Sequence, residues 1–239
     1  MSMLKTGRVI KRQKLATRLT HWVWAICLFF LLLSGLQIFN AHPGLYWGHQ
    51  VGFTYDNALW EIEGFPGWAT LPSTQDLATG RVIHLFFAWI LVVTLLVWLI
   101  ASLRNRHLKK DLLPTSKDAK NFLPDIRDHL KLKLVHAVRY SPLQKLAYGG
   151  VLFVLFPLII LTGLSMSPGM NAVLPWLPEL FGGRQSARTI HFIVMALLVG
   201  FFVVHMAMII LAGPLNEIRS IITGRYRLSP VAKKAAPHV

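Results

Sequence analysis

Residues 188–210 read RTIHFIVMALLVGFFVVHMAMII, a stretch long and apolar enough to cross a bilayer, yet it carries two imidazoles, His191 and His205. A spanning helix takes about 20 apolar residues, and ionisable groups inside one are costly and mark function. The two histidines are fourteen residues apart. At 3.6 residues per turn this is close to four turns, so both rings leave one face of the helix, with one about 21 Å deeper than the other. What lies opposite those rings decides how the rest of the chain is read.

The composition is that of a membrane protein. Of 239 residues, 54% are hydrophobic and 15% charged, and the mean hydropathy of +0.50 is too high for an ordinary soluble domain. Four runs reach spanning length: 19–39, 81–103, 143–165 and 189–211. They predict an all-α fold, an integral membrane four-helix bundle with short cytoplasmic surface helices, forming a single domain over residues 1–239.

The net charge of +15 is distributed unevenly along the chain. Six Lys/Arg precede the first span, none lies between Leu19 and Gly80, eleven fall from Arg104 to Lys145, two precede the fourth span and five follow it. By the positive-inside rule both termini and the middle loop are cytoplasmic, and the other two loops face outside. The basic residues sit where anionic headgroups lie, so the charge reads as topology and lipid contact, and not as nucleic-acid binding. The basic N-terminus resembles the start of a signal peptide, but no small-residue cleavage site follows and the apolar run is of full spanning length. It is expected to stay as the first helix. A lone cysteine, Cys27, argues against an internal disulfide, a cysteine-ligated iron–sulfur cluster and covalent C-x-x-C-H haem attachment.

This topology puts His84 at the outer level with His191, and His21 at the inner level with His205. Two levels on one face suit two planar cofactors, each gripped from opposite sides, and bis-histidine haem b fits that geometry. A lone histidine would read instead as a buried polar group bonded to a neighbouring helix or lining a proton path. Gly35, fourteen residues after His21, and Gly149 and Gly163, again fourteen apart, fall at the same two depths. A missing side chain there admits a porphyrin edge, although glycines in membrane helices also serve helix–helix contact. Arg81 and Arg188 at the outer level, and Arg18 and Lys145 at the inner one, are placed to pair with haem propionates or to snorkel to the interface. His42, His49, His107, His129, His136 and His238 have no recognised ligand spacing and read as surface residues.

The outer loop 40–79 carries Asp56, Glu61, Glu63 and Asp76, no Lys or Arg, and Trp47, Trp60 and Trp68. The tryptophans suit an interfacial belt. The loop is also longer than a connection needs, which suits docking of a periplasmic redox subunit. On the inner side, 125–140 and 215–228 read as short surface helices, set off from the third and fourth spans by Pro142 and Pro214. Pro157 is expected to kink the third span or locally to free a backbone carbonyl. The LSGL at 33–36 and LTGL at 161–164 are loosely similar.

Several stretches carry a family resemblance: RLTHW (18–22), GRVIH (80–84), DIRDHL (125–130), LQKLAY (143–148), LTGLSMSPGM (161–170), FGGRQSARTIHF (181–192), the His205 position and LAGPLNEIRSIITGRY (211–226). With these the chain resembles the bacterial di-haem cytochrome b561 and nickel–iron hydrogenase b-type cytochrome superfamily, most closely the thiosulfate-reductase-type cytochrome b subunits. The resemblance implies two b haems on His21, His84, His191 and His205 in a bacterial inner membrane. It further implies exchange of electrons between the quinone pool and a partner redox subunit of molybdenum or iron–sulfur type. It directs the search for a quinone site to the cytoplasmic end, where Arg18, His107, Gln144 and Lys145 offer hydrogen bonds or protons. Two other functions stay open: a self-contained oxidoreductase of the same fold, such as a superoxide oxidase, and a haem-free anchor or transporter.

Overall fold

In the computed structural model, residues 9–50, 55–106, 108, 112–131 and 140–227 are described. Four long helices dominate: α1 (Leu15–Phe39), α2 (Leu77–Arg104), the composite Pro142–Met166, and α7 (Arg184–Ala212). Around them lie α3 (Ser116–Leu130), α6 (Pro168–Val173), α8 (Pro214–Thr223) and four strands: β1 (Val9–Lys11), β2 (Gly44–Leu45), β3 (Trp60–Glu61) and β4 (Arg225–Arg227). On α2, Val82, Leu85, Phe86, Trp89, Val93, Leu96, Val97, Ile100 and Leu103 are each more than half exposed. An apolar stripe turned outward on a helix of this length is a lipid-facing surface. The chain is a multi-pass membrane protein.

The long helices start earlier than the apolar runs, at Leu15, Leu77 and Arg184. Asp76 accounts for one of these starts, since its Oδ1 accepts from Thr79 N at 3.0 Å and caps α2. At the other end, Gly213 takes a left-handed φ of +101° that stops α7, and Pro214 opens α8.

The composite helix comprises α4 (Pro142–Gly150), a π-helical turn at Val151–Leu155, and α5 (Phe156–Met166). The π turn is how the chain accommodates Pro157, which lacks an N–H for the carbonyl four residues back. Ser141 and Gln144 form a reciprocal capping box at its start.

The structure divides into two compact units. Unit 1 takes the described residues up to Trp22, those from Val97 to Val151, and those from Phe201 onward; unit 2 takes Val23–Leu96 and Leu152–Gly200. In unit 1, β1 pairs antiparallel with β4, matching Ile10 with Tyr226. Arg12 is held there 3.2 Å from Glu217 and 4.5 Å over the Tyr226 ring. In unit 2, β2 pairs with β3. Strands this short carry no periodicity, and they are an addition to the expected all-helical fold.

The expected surface helix 125–140 begins instead at Ser116, because Thr115 and Asp118 cap it: Asp118 Oδ2 accepts from both Thr115 N and Thr115 Oγ1 at 2.7 Å. Residues 132–139 lie outside the described ones. The second surface helix ends at Thr223, where Gly224 turns left-handed (φ +77°) and β4 follows. Two carboxylates dock α3 onto α4. Asp125 Oδ2 accepts from Leu143 N at 2.9 Å, and Lys145 Nζ donates to Asp118 Oδ2 at 2.9 Å with both side chains largely covered. The Lys145 bond, then Thr115, lower the Asp118 pKa from 3.8 to about 2.

The stability contributed by the Asp118 carboxylate is therefore complete above pH 3.8 and is lost as pH falls through about 2. Asp118→Asn is expected to cost about 1–3 kcal/mol and to release α3. Hydrogen exchange across Ser116–Leu130 checks this, with Asp128→Asn as the control.

Candidate functional site

Each unit brings together one of the expected histidine pairs. In unit 2 the rings of His84, on α2, and His191, on α7, have centroids 6.3 Å apart and planes at 57°. In unit 1 the rings of His21, on α1, and His205, on α7, are 6.4 Å apart at 52°. Both separations match two imidazoles on one metal. A metal–nitrogen bond of about 2.0 Å, plus about 1.15 Å from Nε2 to the ring centre, puts opposed centroids about 6.3 Å apart.

Among the described residues no group of three or more His, Cys, Asp or Glu is arranged to hold a metal ion. A pair of imidazoles suits an iron whose other ligands a macrocycle such as porphyrin would supply.

The surroundings of the rings differ between the units. In unit 2, His84 Nδ1 lies 3.1 Å from Ser34 Oγ, and His191 Nδ1 lies 3.0 Å from Thr162 Oγ1. In unit 1, Trp22 stands edge-on to His21 at 5.6 Å. Phe201 stacks on His205 at 5.7 Å, and Tyr148 meets Phe201 edge-on at 6.2 Å. His21 Nδ1 is buried without a hydrogen-bond partner, as is Arg18 Nε. Orphaned donors of this kind suit an acidic group beside the rings.

The glycines divide into two kinds. A Cβ on Gly35 would lie 3.2 Å from His84 Cε1, and one on Gly163 would lie 3.3 Å from His191 Cε1. These two positions admit the edge of an imidazole. A Cβ on Gly149 would meet nothing within 4 Å, and the same holds at Gly150 and Gly200, two positions the sequence reading passed over. Gly149 thus faces open space, with no side chain or backbone against it.

Arg188 is half-buried; its Nη2 donates to the His42 carbonyl and its guanidinium lies 5.3 Å from the Phe39 ring centre. Arg81 is exposed. Arg18 Nη2 donates to the Ile222 carbonyl. Gln144 is engaged in the capping box and Lys145 with Asp118, so their side chains hold the start of the third span. His107, His136, His238 and the side chain of His129 lie outside the described residues.

His49 is exposed as expected, 3.4 Å from Glu179. His42 is half-buried, against the surface reading. Its Nε2 bonds Tyr46 Oη at 2.9 Å and its ring stacks on Tyr55 at 4.7 Å. Burial, then Arg188, lower its pKa, while burial raises that of Tyr46.

Ser34 and Thr162 were also passed over as site residues. Their signal was the repeated hydroxyl–glycine step in LSGL and LTGL.

Comparison with known proteins identifies the family. The profile of the prokaryotic cytochrome b561 family matches residues 12–224. A relative from Azospira oryzae, described as a putative protein-methionine-sulfoxide reductase subunit YedZ1, is 31% identical over 198 residues, covering 81% of this chain and 87% of its own length. The chain therefore belongs to the prokaryotic cytochrome b561 family, membrane electron-transfer proteins of b type.

Proposed function

We propose that the protein transfers electrons between the quinone pool and a periplasmic redox partner, through two b haems held by His84 with His191 and by His21 with His205. The observation that carries this reading is the spacing of the two ring pairs, 6.3 and 6.4 Å. Haem held by two imidazoles would supply one-electron transfer and would not bind oxygen or substrate.

The residues around the pairs do the rest. Gly149 leaves room for the macrocycle, and Arg18, with Nε unused, offers a positive charge to a propionate or a quinone oxygen in unit 1. The Lys/Arg distribution supports a cytoplasmic position for Arg18 and His21, and the reading sets the protein in a bacterial inner membrane. In unit 2, Trp47, Trp60 and Trp68 are 59%, 66% and 85% exposed. With the exposed Glu61 and Glu63 they form the docking face for the partner. That the Azospira oryzae relative is described as a reductase subunit supports a subunit role over a self-contained oxidase.

The test is the purified protein with a short-chain quinol. The expected result is two b haems per chain, both reduced by the quinol. Shortening the loop between β2 and β3 is expected to leave the haem spectrum intact and to abolish electron exchange with a co-purified partner. A colourless protein, or haems that the quinol does not reduce, would rule the reading out.

A further inference from the structure

We propose that Ser34 and Thr162 are positioning residues that fix the tautomer and orientation of His84 and His191, through one hydroxyl–glycine device used twice, and thereby tune the potential of the haem this pair holds. The inference rests on the ligation reading above. It starts from two tetrapeptides, LSGL on α1 and LTGL on α5, whose second and third residues do the same work on rings of different helices.

Both hydroxyls are fully buried. Ser34 Oγ donates to the Phe30 carbonyl at 2.6 Å, and Thr162 Oγ1 donates to the Leu158 carbonyl at 2.7 Å. Back-bonding of this kind is what Ser and Thr do by default inside helices, and alone it would mean nothing. A hydroxyl has one proton, however, and here it is used on the carbonyl. The ring nitrogens at 3.1 and 3.0 Å must therefore be the donors, Nδ1–H to hydroxyl oxygen. A neutral imidazole protonated at Nδ1 carries its lone pair on Nε2, the form that binds a metal.

The glycine that follows completes the device. A side chain there would press on the Cε1 edge of the ring, at 3.2 Å in one case and 3.3 Å in the other. Without it the ring lies against the helix, where the carbonyls of Leu31 and Ile159, each four residues before the glycine, share the same imidazoles.

Among the described residues the device is confined to unit 2. In unit 1 His21 Nδ1 has no partner, and the residue before Gly149 is Tyr148, which packs on Phe201. A hydroxyl that donates is also a better acceptor. An Nδ1–H bonded to it pushes electron density onto Nε2 and favours ferric iron. The haem of the His84–His191 pair is thus held to a lower potential than the same ligands would give unassisted.

The test uses the purified holoprotein, with Ser34→Ala, Thr162→Val and their combination as the losses, and Ser34→Thr and Thr162→Ser as rescues. Haem content is expected to stay at two per chain. In the double variant the ferric/ferrous equilibrium of one haem shifts about tenfold toward ferrous, about 59 mV for one electron, and the other haem stays put. The low-spin ferric EPR signal of the shifted haem changes with it, and the rescues restore both. Unchanged potentials and EPR at full haem content overturn the proposal, as does an equal shift of both haems. If Thr162→Val sheds the haem, its return in Thr162→Ser supports the proposal, and its loss there too overturns it. Failure of the ligation reading would look different: the wild-type protein would lack haem, or would keep both haems when His84 and His191 are replaced.

Discussion

His191→Ala is expected to lower the haem content of the purified protein from two per chain to one and to stop electron transfer through it. The ring of His191 faces that of His84 at the separation a single iron requires, so either substitution empties the same site. His21→Ala and His205→Ala are expected to empty the other. The combination that tests the pairing is the double one. His84→Ala with His191→Ala should be no worse than either alone, since residues acting as a unit are non-additive, whereas His21→Ala with His191→Ala should leave no haem. Pyridine haemochrome titration of the six proteins reads the result. Retention of one haem by the cross-pair double would show that the partners are wrongly assigned.

Gly183→Ala is expected to be the most damaging conservative change outside the histidines. Gly183 has φ +111°, a left-handed conformation that a side chain resists, and an added Cβ would lie 2.4 Å from the Gly48 carbonyl oxygen and 2.6 Å from its carbon. Both are backbone atoms in a dense knot: Gly48 O accepts from Gln185 N at 2.9 Å and from Ser186 N at 3.3 Å, and Gly48 N donates to Ser186 Oγ at 2.7 Å. Thr189 Oγ1 adds a bond to the Tyr46 carbonyl at 2.7 Å. Displacing this knot costs about 1–3 kcal/mol in backbone strain alone, and about 1 kcal/mol for each hydrogen bond lost. The expected result is that protease cleaves the 40–79 loop at least tenfold faster, while Gly169→Ala, whose added carbon meets nothing within 4 Å, stays at the wild-type rate.

The features legible in the sequence were those that repeat along a helix. The four spans and the two histidine levels follow from apolar length and a period of 3.6. The helices start earlier than the apolar runs because polar residues such as Arg18 and Arg188 continue the helix where hydropathy has already fallen.

What was missed depends on a partner elsewhere in the chain. Ser34 is one hydroxyl in an apolar run until His84 is set against it, and His42 reads as solvated until Tyr46 and Tyr55 enclose it. Some local signals were present and unread. Ser141-x-x-Gln144 and Thr115-x-x-Asp118 are both capping patterns, and they claim Gln144 and Lys145 for the scaffold. The count of fourteen also means different things in different helices. From His191 to His205 the α-helix is unbroken, whereas between Gly149 and Gly163 the wider turn at Val151–Leu155 intervenes and shifts the angular phase.

One ring of each pair rides on α7, the last of the long helices to leave the ribosome. On the proposed pairing, a nascent chain with three crossings inserted has two half-sites and no complete one. On the proposed ligation both would become competent for cofactor in the same biosynthetic step, and a chain stopped short of α7 would carry unmatched imidazoles.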